Sequence, residues 1–159
     1  MLVDNLLIPS GGIAADGTRT YQTVTGASAV LSTNSIDLST ARDIGEAEIQ
    51  IYARFQVGTV FAGLTALNIE VVVADDAALT TNVTPVGGCG NVAVANLTAG
   101  ARLSCMINPS IQGKGRRYLG FRYTPTGTGT TGTLFGDIGF DLQDGVGGNK
   151  SYPSGFSII

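Results

Sequence analysis

The side chains that could do chemistry are few in this sequence, and they lack the partners that catalysis needs. The chain has no histidine and only two cysteines, Cys89 and Cys105. A nucleophilic serine or cysteine normally depends on a neighbouring base, most often histidine. A Ser–His or Cys–His site is therefore excluded, and the usual zinc ligand sets cannot be assembled within one chain. The two cysteines could pair once, but without an export signal we expect free thiols that are buried or partly buried.

Carboxylates are the remaining candidates for an acid and a base of the glycosidase type. Asp75 and Asp76 are adjacent, and Asp137, Asp141 and Asp144 lie close in sequence. Such a site needs two carboxylates that are close in space. The first pair directly follows a strand, where solvated turn carboxylates are common, and Asp137 and Asp141 share the outward face of their strand. Solubilising positions are the better interpretation, and we expect the protein not to be an enzyme.

One basic segment, QGKGRRY, superficially suggests a phosphate-binding loop. It carries Lys114, Arg116 and Arg117 between glycines, but it lacks the spacing of a P-loop and opens a strand instead of a helix. We predict a basic loop tip that is either solvated or faces an acidic partner surface. Oxygen ligands for calcium occur at 141–149, but their spacing does not fit an EF-hand. The sequence therefore predicts no cofactor and no metal.

The composition predicts a single domain that associates with other protein molecules. Of the 159 residues, 43% are hydrophobic and only 13% are charged, about half the usual share of charge. A surface so poor in charge favours an oligomer or a docked component. The net charge of −3 and a pI near 4.7 argue against nucleic acid as a ligand. No apolar run could span a bilayer, and Asp4 stands where a signal peptide would be basic, so we expect neither secretion nor a membrane partner.

Hydrophobic alternation with a period of two recurs from Tyr21 almost to the C-terminus, and no segment has a convincing helical period. The clearest strand is EAEIQIYARF at 46–55. LNIEVVVA at 67–74 is apolar on both faces over part of its length, which predicts a central strand covered on both sides. About eight strands in all, separated by turn residues, predict an all-β fold of antiparallel strands, either a β-sandwich or a jelly roll. The remaining strand candidates are TYQTVT (20–25), AVLS (29–32), SIDL (35–38), NVAVA (91–95), ARLSCMI (101–107), YLGFRY (118–123) and TLFGDIGFDL (133–142).

Loops and chain ends supply the candidate contact residues. The sequence TGTGTTGT at 126–133 predicts a hairpin tip joining two strands. Both ends of the chain are apolar, so they either complete the core or dock on a neighbour. We divide the chain into an N-terminal arm, 1–19, and a single sandwich domain, 20–159; Gly113–Arg117 and Thr126–Gly132 are second-rank contact loops. The predicted capsid or subunit contacts are Leu2, Val3, Leu6, Leu7, Ile8, Lys114, Arg116, Arg117, Phe156, Ile158 and Ile159.

Four segments in succession resemble the small phage capsid cement proteins of the Bordetella-phage type. They are STNSIDLSTARDIG (32–45), EAEIQIYARF (46–55), LNIEVVVADDAALT (67–80) and RRYLGFRYTPTGTGTTGTLFGDIGFDL (116–142). The resemblance implies an all-β jelly roll that forms homo-oligomers on the outside of an HK97-fold icosahedral shell. There it clamps neighbouring major capsid subunits, and the family has no catalytic residues to carry over.

The expected function is therefore that of a structural virion protein, made in the host cytoplasm and carried on the outer capsid surface. Its partners would be a major capsid protein of HK97-like fold and further copies of itself, as a dimer or trimer. A ligand that binds only the assembled lattice stabilises the shell against internal DNA pressure by mass action. The alternative is a carbohydrate-binding or adhesive β-sandwich module, which is disfavoured by the lack of Trp and 7% aromatic residues. Without histidine, attachment should depend little on pH between about 5 and 8.

Overall fold

A computed structural model describes residues 5–42, 51–107 and 116–139. This described part of the chain contains β-strands and two short 3₁₀ turns, Asn5–Leu7 and Val94–Asn96, but no α-helix. The all-β class predicted from the alternation is confirmed. The strands are β1 (Gly12–Ile13), β2 (Arg19–Thr20), β3 (Gln22–Thr23), β4 (Val30–Leu31), β5 (Ile36–Arg42), β6 (Tyr52–Val57), β7 (Ala62–Ala74), β8 (Thr84–Ala93), β9 (Arg102–Met106), β10 (Arg116–Thr131) and β11 (Thr133–Gly139).

Two antiparallel sheets have the connectivity of a jelly roll. One has the order β3-β11-β6-β9, and the other has the order β4-β10-β7-β8, with β5 also pairing with β10. Strands β4 and β5 pair with successive parts of β10, on the side opposite β7, and so occupy one strand position. Counting the positions from β3 onward gives the orders 1-8-3-6 and 2-7-4-5, which define an eight-stranded jelly roll. The predicted topology is therefore confirmed, and β1 and β2 form a separate small hairpin.

The sheets pack face to face through the alternating side chains that the sequence predicts. In β6, Ala53 and Phe55 are buried, whereas the intervening Arg54 points to the other face and stays partly exposed. The Phe55 ring meets the Phe121 ring of the opposite sheet edge to face, with 4.7 Å between centroids. The aromatic pair therefore joins the two sheets across the main core.

Strand β7 is covered on both faces, as its continuous apolar run predicts. Ile69 and Val71 face the main core, whereas Val72 and Ala74 face a smaller second cluster on the outer side of the sheet. Leu79 is only 1% exposed and completes that cluster from the connection between β7 and β8. The strand is thus central, with a buried outer face at its C-terminal end.

The prediction of a hairpin tip at 126–133 is wrong. Residues 126–131 continue β10 and pair with the start of β7, and Gly132 alone joins β10 in one sheet to β11 in the other. Gly132 has φ +148°, and a Cβ there would lie 2.2 Å from the Phe61 ring. A side chain would strike the ring, so the glycine permits an abrupt change of sheet.

The segment before β3 is packed against the sandwich from Ile8 onward. Ser10 pairs with Gly136 of β11, at the edge that β3 leaves uncovered. The Asn34 amide donates a hydrogen bond to the Pro9 carbonyl at 2.8 Å. These contacts give the backbone groups of an exposed sheet edge partners within the same chain. The boundary drawn at 19/20 between arm and domain stays a prediction, but from Ile8 onward the predicted arm packs against the domain and is not free.

Candidate interaction surface

The apolar contact residues predicted near the N-terminus lie at three different depths. Leu6 is 80% exposed in the 3₁₀ turn that packs against β11, Leu7 is half-buried, and Ile8 is only 3% exposed. Ile8 therefore belongs to the interior of its own chain and is not available to a partner, which corrects its place in the contact set. The other predicted contacts Leu2, Val3, Lys114, Phe156, Ile158 and Ile159 lie outside the described residues.

Arg116 and Arg117 begin strand β10, so the predicted basic loop tip does not include them. Arg117 donates through Nε and Nη2 to the two carboxylate oxygens of Asp37, at 2.9 and 2.8 Å. This bidentate contact, with the Ser39 amide, lowers the pKa of Asp37 to about 2. Arg116 lies 3.5 Å from a carboxylate oxygen of Asp75. Both arginines thus face acids of their own chain, which reduces what they can offer to an acidic partner.

The same pairing holds for two further arginines, each directly opposite its acid on a neighbouring strand. Arg122 meets Glu70 across β10 and β7 at 2.8 Å, and Arg54 meets Asp137 across β6 and β11 at 2.8 Å. Asp137 points away from the core, as predicted, but it is only 4% exposed and forms two hydrogen bonds with the guanidinium. The interpretation of Asp137 as a solvated surface carboxylate is therefore wrong, because Arg54 lies over it.

Asp75 and Asp76 have the contacts of turn residues. Asp76 accepts hydrogen bonds from the amides of Thr80 and Thr81 and from the Thr80 hydroxyl. The backbone bond from Thr81, followed by the Thr80 hydroxyl, lowers the pKa of Asp76. Asp75 accepts from the Asn82 amide group at 2.7 Å. Both carboxylates therefore hold the β7–β8 connection, which leaves them poorly placed as an acid–base pair.

Among residues 5–42, 51–107 and 116–139, no group of three or more acidic or cysteine side chains could hold a metal ion. The possible oxygen ligands for calcium at 141–149 are Asp141, Asp144 and Asn149, and they lie outside the described residues. Nor does the described chain include a helix with the length and apolar character needed to cross a bilayer.

At one end of the sandwich, the described segments contain no charged residue. Four segments meet there, at 24–29, 58–66, 94–101 and 124–133, and none contains Asp, Glu, Lys or Arg. We call these four segments the uncharged end. Their exposed residues on the two long stretches are Thr59, Val60, Ala62, Gly63, Thr65, Thr126, Gly127, Thr128, Thr130 and Thr131.

Backbone and threonine hydrogen bonds hold the uncharged end together. Gly26 pairs with Gly129, which joins 24–29 to β10. The Thr131 hydroxyl donates to the Val60 carbonyl at 3.0 Å, and the Phe61 amide donates to the Leu97 carbonyl at 3.1 Å. The four segments therefore form one connected surface, which includes the second-rank candidate Thr126–Gly132. The absence of charge is visible in the sequence, but only the fold brings the four segments together.

The comparison with known proteins adds a family. A family model named Bbp16 matches residues 19–138, which is most of the chain and includes all four segments of the uncharged end. No curated protein matches. The match fits a protein of the Bordetella-phage type, and the chain belongs to the Bbp16 family.

Proposed function

We propose that this member of the Bbp16 family is a structural virion protein, which binds the outside of an icosahedral phage capsid and clamps adjacent major capsid subunits. The family match supports a phage origin. The observation that carries the proposal is the uncharged end, where four segments present threonine, glycine and alanine on one connected surface. Such a surface suits docking on a broad protein face better than it suits catalysis or binding of a charged ligand.

Docking at this end would bury few charges without partners. A lone charge removed from water at an interface is costly unless it is paired there. Arg54, Arg116, Arg117 and Arg122 are paired within the chain, and the uncharged end adds no charge of its own. Threonine hydroxyls and backbone groups can still supply hydrogen bonds over a standard interface, which buries about 800 Å² per partner.

Clamping requires at least two contacts at once. A homo-oligomer, either a dimer or a trimer, would present one uncharged end to each of several neighbouring subunits of an HK97-like capsid protein. The second contact then forms at a high effective concentration, so modest single contacts add up to firm attachment. Because the free subunits lack this arrangement, binding favours the assembled shell and stabilises it.

The alternative, a carbohydrate-binding or adhesive module, finds no favourable feature on the described surface. Sugar-binding sandwiches commonly stack the sugar on a flat aromatic ring. Within residues 5–42, 51–107 and 116–139, every Phe is buried and every Tyr is buried or half-buried. No exposed ring platform is therefore present in that part of the chain.

Co-sedimentation with capsids that lack the protein tests the proposal. The wild type should pellet with mature capsids but not bind free capsid subunits. Thr128→Lys places a charge on the exposed surface of the uncharged end and should weaken attachment about tenfold or more, equivalent to about 1.4 kcal/mol. The matched control is Ala15→Lys, which adds the same charge to the exposed β1–β2 turn and should leave attachment unchanged.

The outcomes test the cement role and the uncharged end as its contact surface separately. Equal binding to free subunits and capsids, or glycan-array binding without capsid binding, would contradict a cement role. Normal attachment of Thr128→Lys would leave that role standing and remove the uncharged end as the contact surface.

The N-terminal contact element stays a prediction, and its test is a truncation that spares the buried Ile8 side chain. Deleting Leu2–Ile8 would remove the buried Ile8 side chain together with the arm, and so would confuse loss of binding with loss of stability. Deletion of residues 2–4 retains the 3₁₀ turn Asn5–Leu7 together with Ile8. It should weaken attachment while keeping the wild-type unfolding midpoint, and undiminished occupancy on capsids would contradict the prediction.

A further inference from the structure

The two sheets meet along one side of the sandwich through their edge strands. Strand β8 ends the five-stranded sheet, and β9 ends the four-stranded sheet. They touch at an antiparallel bridge between Gly87 and Ile107. Two residues along each strand from this bridge lie Cys89 of β8 and Cys105 of β9.

A β-bulge sets the direction of Cys89. Ile69 of β7 pairs with Gly90, and the next residue, Glu70, pairs with Gly88, so Cys89 is the extra residue of β8. Gly90 has φ +68°, and a Cβ on Gly88 would lie 2.4 Å from the Ile69 carbonyl oxygen. The glycines on either side therefore permit a bulge, and a bulge turns the side chain of its extra residue.

The two thiols contact each other at this boundary between the sheets. Both are free, both are half-buried, and both pack against the main core. The hydrogen bond from the Cys105 thiol lowers the pKa of Cys89, while the same contact, together with burial, raises the pKa of Cys105. The contact therefore stabilises a thiolate on one member of the pair, and the thiolate is the reactive form of a cysteine.

We propose that Cys89 and Cys105 form a redox-active pair that closes to an intrachain disulfide under oxidising conditions and covalently joins the two sheets. The two thiols already contact each other, two residues from a backbone bridge that holds the strands together. A disulfide spans Cα separations of roughly 4.4–6.8 Å, so closure needs little movement of the backbone. The proposal concerns the chain itself, and it stands or fails separately from capsid binding.

The oxidant is a small soluble disulfide such as oxidised glutathione. One of the two cysteines, as the thiolate, attacks one of its sulfurs, forms a mixed disulfide and releases one glutathione thiolate, which takes up a proton. The other cysteine then loses its proton to solvent, and its sulfur displaces the second glutathione, which leaves as a thiolate and also takes up a proton. In total, two protein thiols and one glutathione disulfide become one protein disulfide and two glutathione thiols.

Formation of the disulfide should stabilise the fold at the edge strands β8 and β9, where local unfolding is expected to begin. Edge strands are held by a neighbour on one side only, so local opening is expected to begin there. The disulfide would close a short loop of the chain and restrict the unfolded state. For a loop of this size, the unfolding midpoint should rise by roughly 5–10 °C.

Tryptic mapping gives a direct test. The purified protein is incubated with oxidised glutathione, its remaining thiols are alkylated, and it is digested with trypsin. Cleavage after Arg54, Arg102 and Lys114 separates the cysteines, with Cys89 in peptide 55–102 and Cys105 in peptide 103–114. We expect the two peptides to be joined by a bond that dithiothreitol breaks, together with loss of both titratable thiols and the rise in midpoint.

The matched controls are Cys89→Ser and Cys105→Ser, which each keep one thiol in the same surroundings. Each should give only a mixed disulfide with glutathione and no rise in midpoint. The proposal is overturned if the oxidised wild type retains two titratable thiols. It is equally overturned if the wild type carries two glutathione adducts per chain, or links Cys89 or Cys105 to a second chain.

Discussion

The Ser10 hydroxyl lies 2.6 Å from the Tyr123 hydroxyl, and both residues are completely buried. This contact joins the segment that precedes β3 to β10, the longest strand of the structure. Ser10 also pairs through its backbone with Gly136 of β11. The N-terminal segment is therefore tied to both sheets, and burial raises the pKa of the tyrosine it contacts.

Ser10→Ala should destabilise the fold by about 1–3 kcal/mol, because it leaves the buried Tyr123 hydroxyl without this partner. Tyr123→Phe should cost a similar amount, because it leaves the buried Ser10 hydroxyl without this partner in turn. The double variant should cost less than the sum of the single variants, since the second change then removes a group that is already unpaired. Urea denaturation of all four proteins measures this coupling, and strictly additive losses would contradict it.

Two ion pairs of similar geometry should differ in their contribution to stability. Asp137→Ala leaves the Arg54 guanidinium without its largely buried acid and should cost about 3 kcal/mol. Asp37→Ala removes the partner of Arg117 where both side chains are close to half exposed, and should cost much less than Asp137→Ala. Denaturant unfolding of the two variants at neutral pH measures the difference. Equal losses would show that burial does not decide the contribution of these pairs.

Acid should destabilise the fold only below about pH 4. The folded-state pKa of Asp37 is lowered to about 2, mainly by Arg117, from an ordinary value of 3.8, and the pKa of Asp76 is also lowered. A group with a lowered folded pKa adds stability above its unfolded pKa, and this stability is lost as the pH falls through the folded pKa. The unfolding midpoint should therefore hold between about pH 5 and 7 and fall between about pH 4 and 2.

Asp37→Asn measures how much this carboxylate contributes to the fall in unfolding midpoint at acid pH. The variant should show a shallower fall in midpoint between about pH 4 and 2, and the difference should be small because the pair is exposed. Thermal unfolding, followed by circular dichroism across the pH series, measures the midpoints of the wild type and the variant. A variant with the wild-type slope would exclude Asp37 as a source of the acid sensitivity.

Gly132→Ala should destabilise the sandwich strongly. The new Cβ would lie 2.2 Å from the Phe61 ring, so either the ring or the junction of β10 and β11 must move. The control is Gly17→Ala, whose φ is also positive, at +82°, but whose Cβ would meet nothing within 4 Å. It should cost only about 1 kcal/mol of backbone strain. Similar midpoints for the two variants would show that the corner has room for a side chain.

Local alternation by itself determined much of the fold. In β6 the order of buried and exposed side chains follows directly from the sequence, because successive residues of a strand point to opposite faces. The apolar run of β7 likewise predicts its central place, with Val72 and Ala74 covered on the outer face. The all-β class depends on this short-range pattern and can therefore be derived from the sequence. The jelly-roll topology was predicted from the resemblance to a family.

The tertiary structure decided what depends on partners distant in sequence. The sequence predicts a solvated carboxylate at Asp137, but in the structure Arg54 covers it. It also places Ile8 in an arm, but the sandwich encloses the Ile8 side chain. The glycine-rich segment 126–133 predicts a turn, because glycine permits turns. In the structure most of this segment pairs with β7 and is a strand. Local sequence carries no information on which segments will face each other, since that depends on the packing of the whole chain. For the same reason, the absence of histidine excluded a common class of catalytic site from sequence alone, whereas the meeting of Cys89 with Cys105 required the fold.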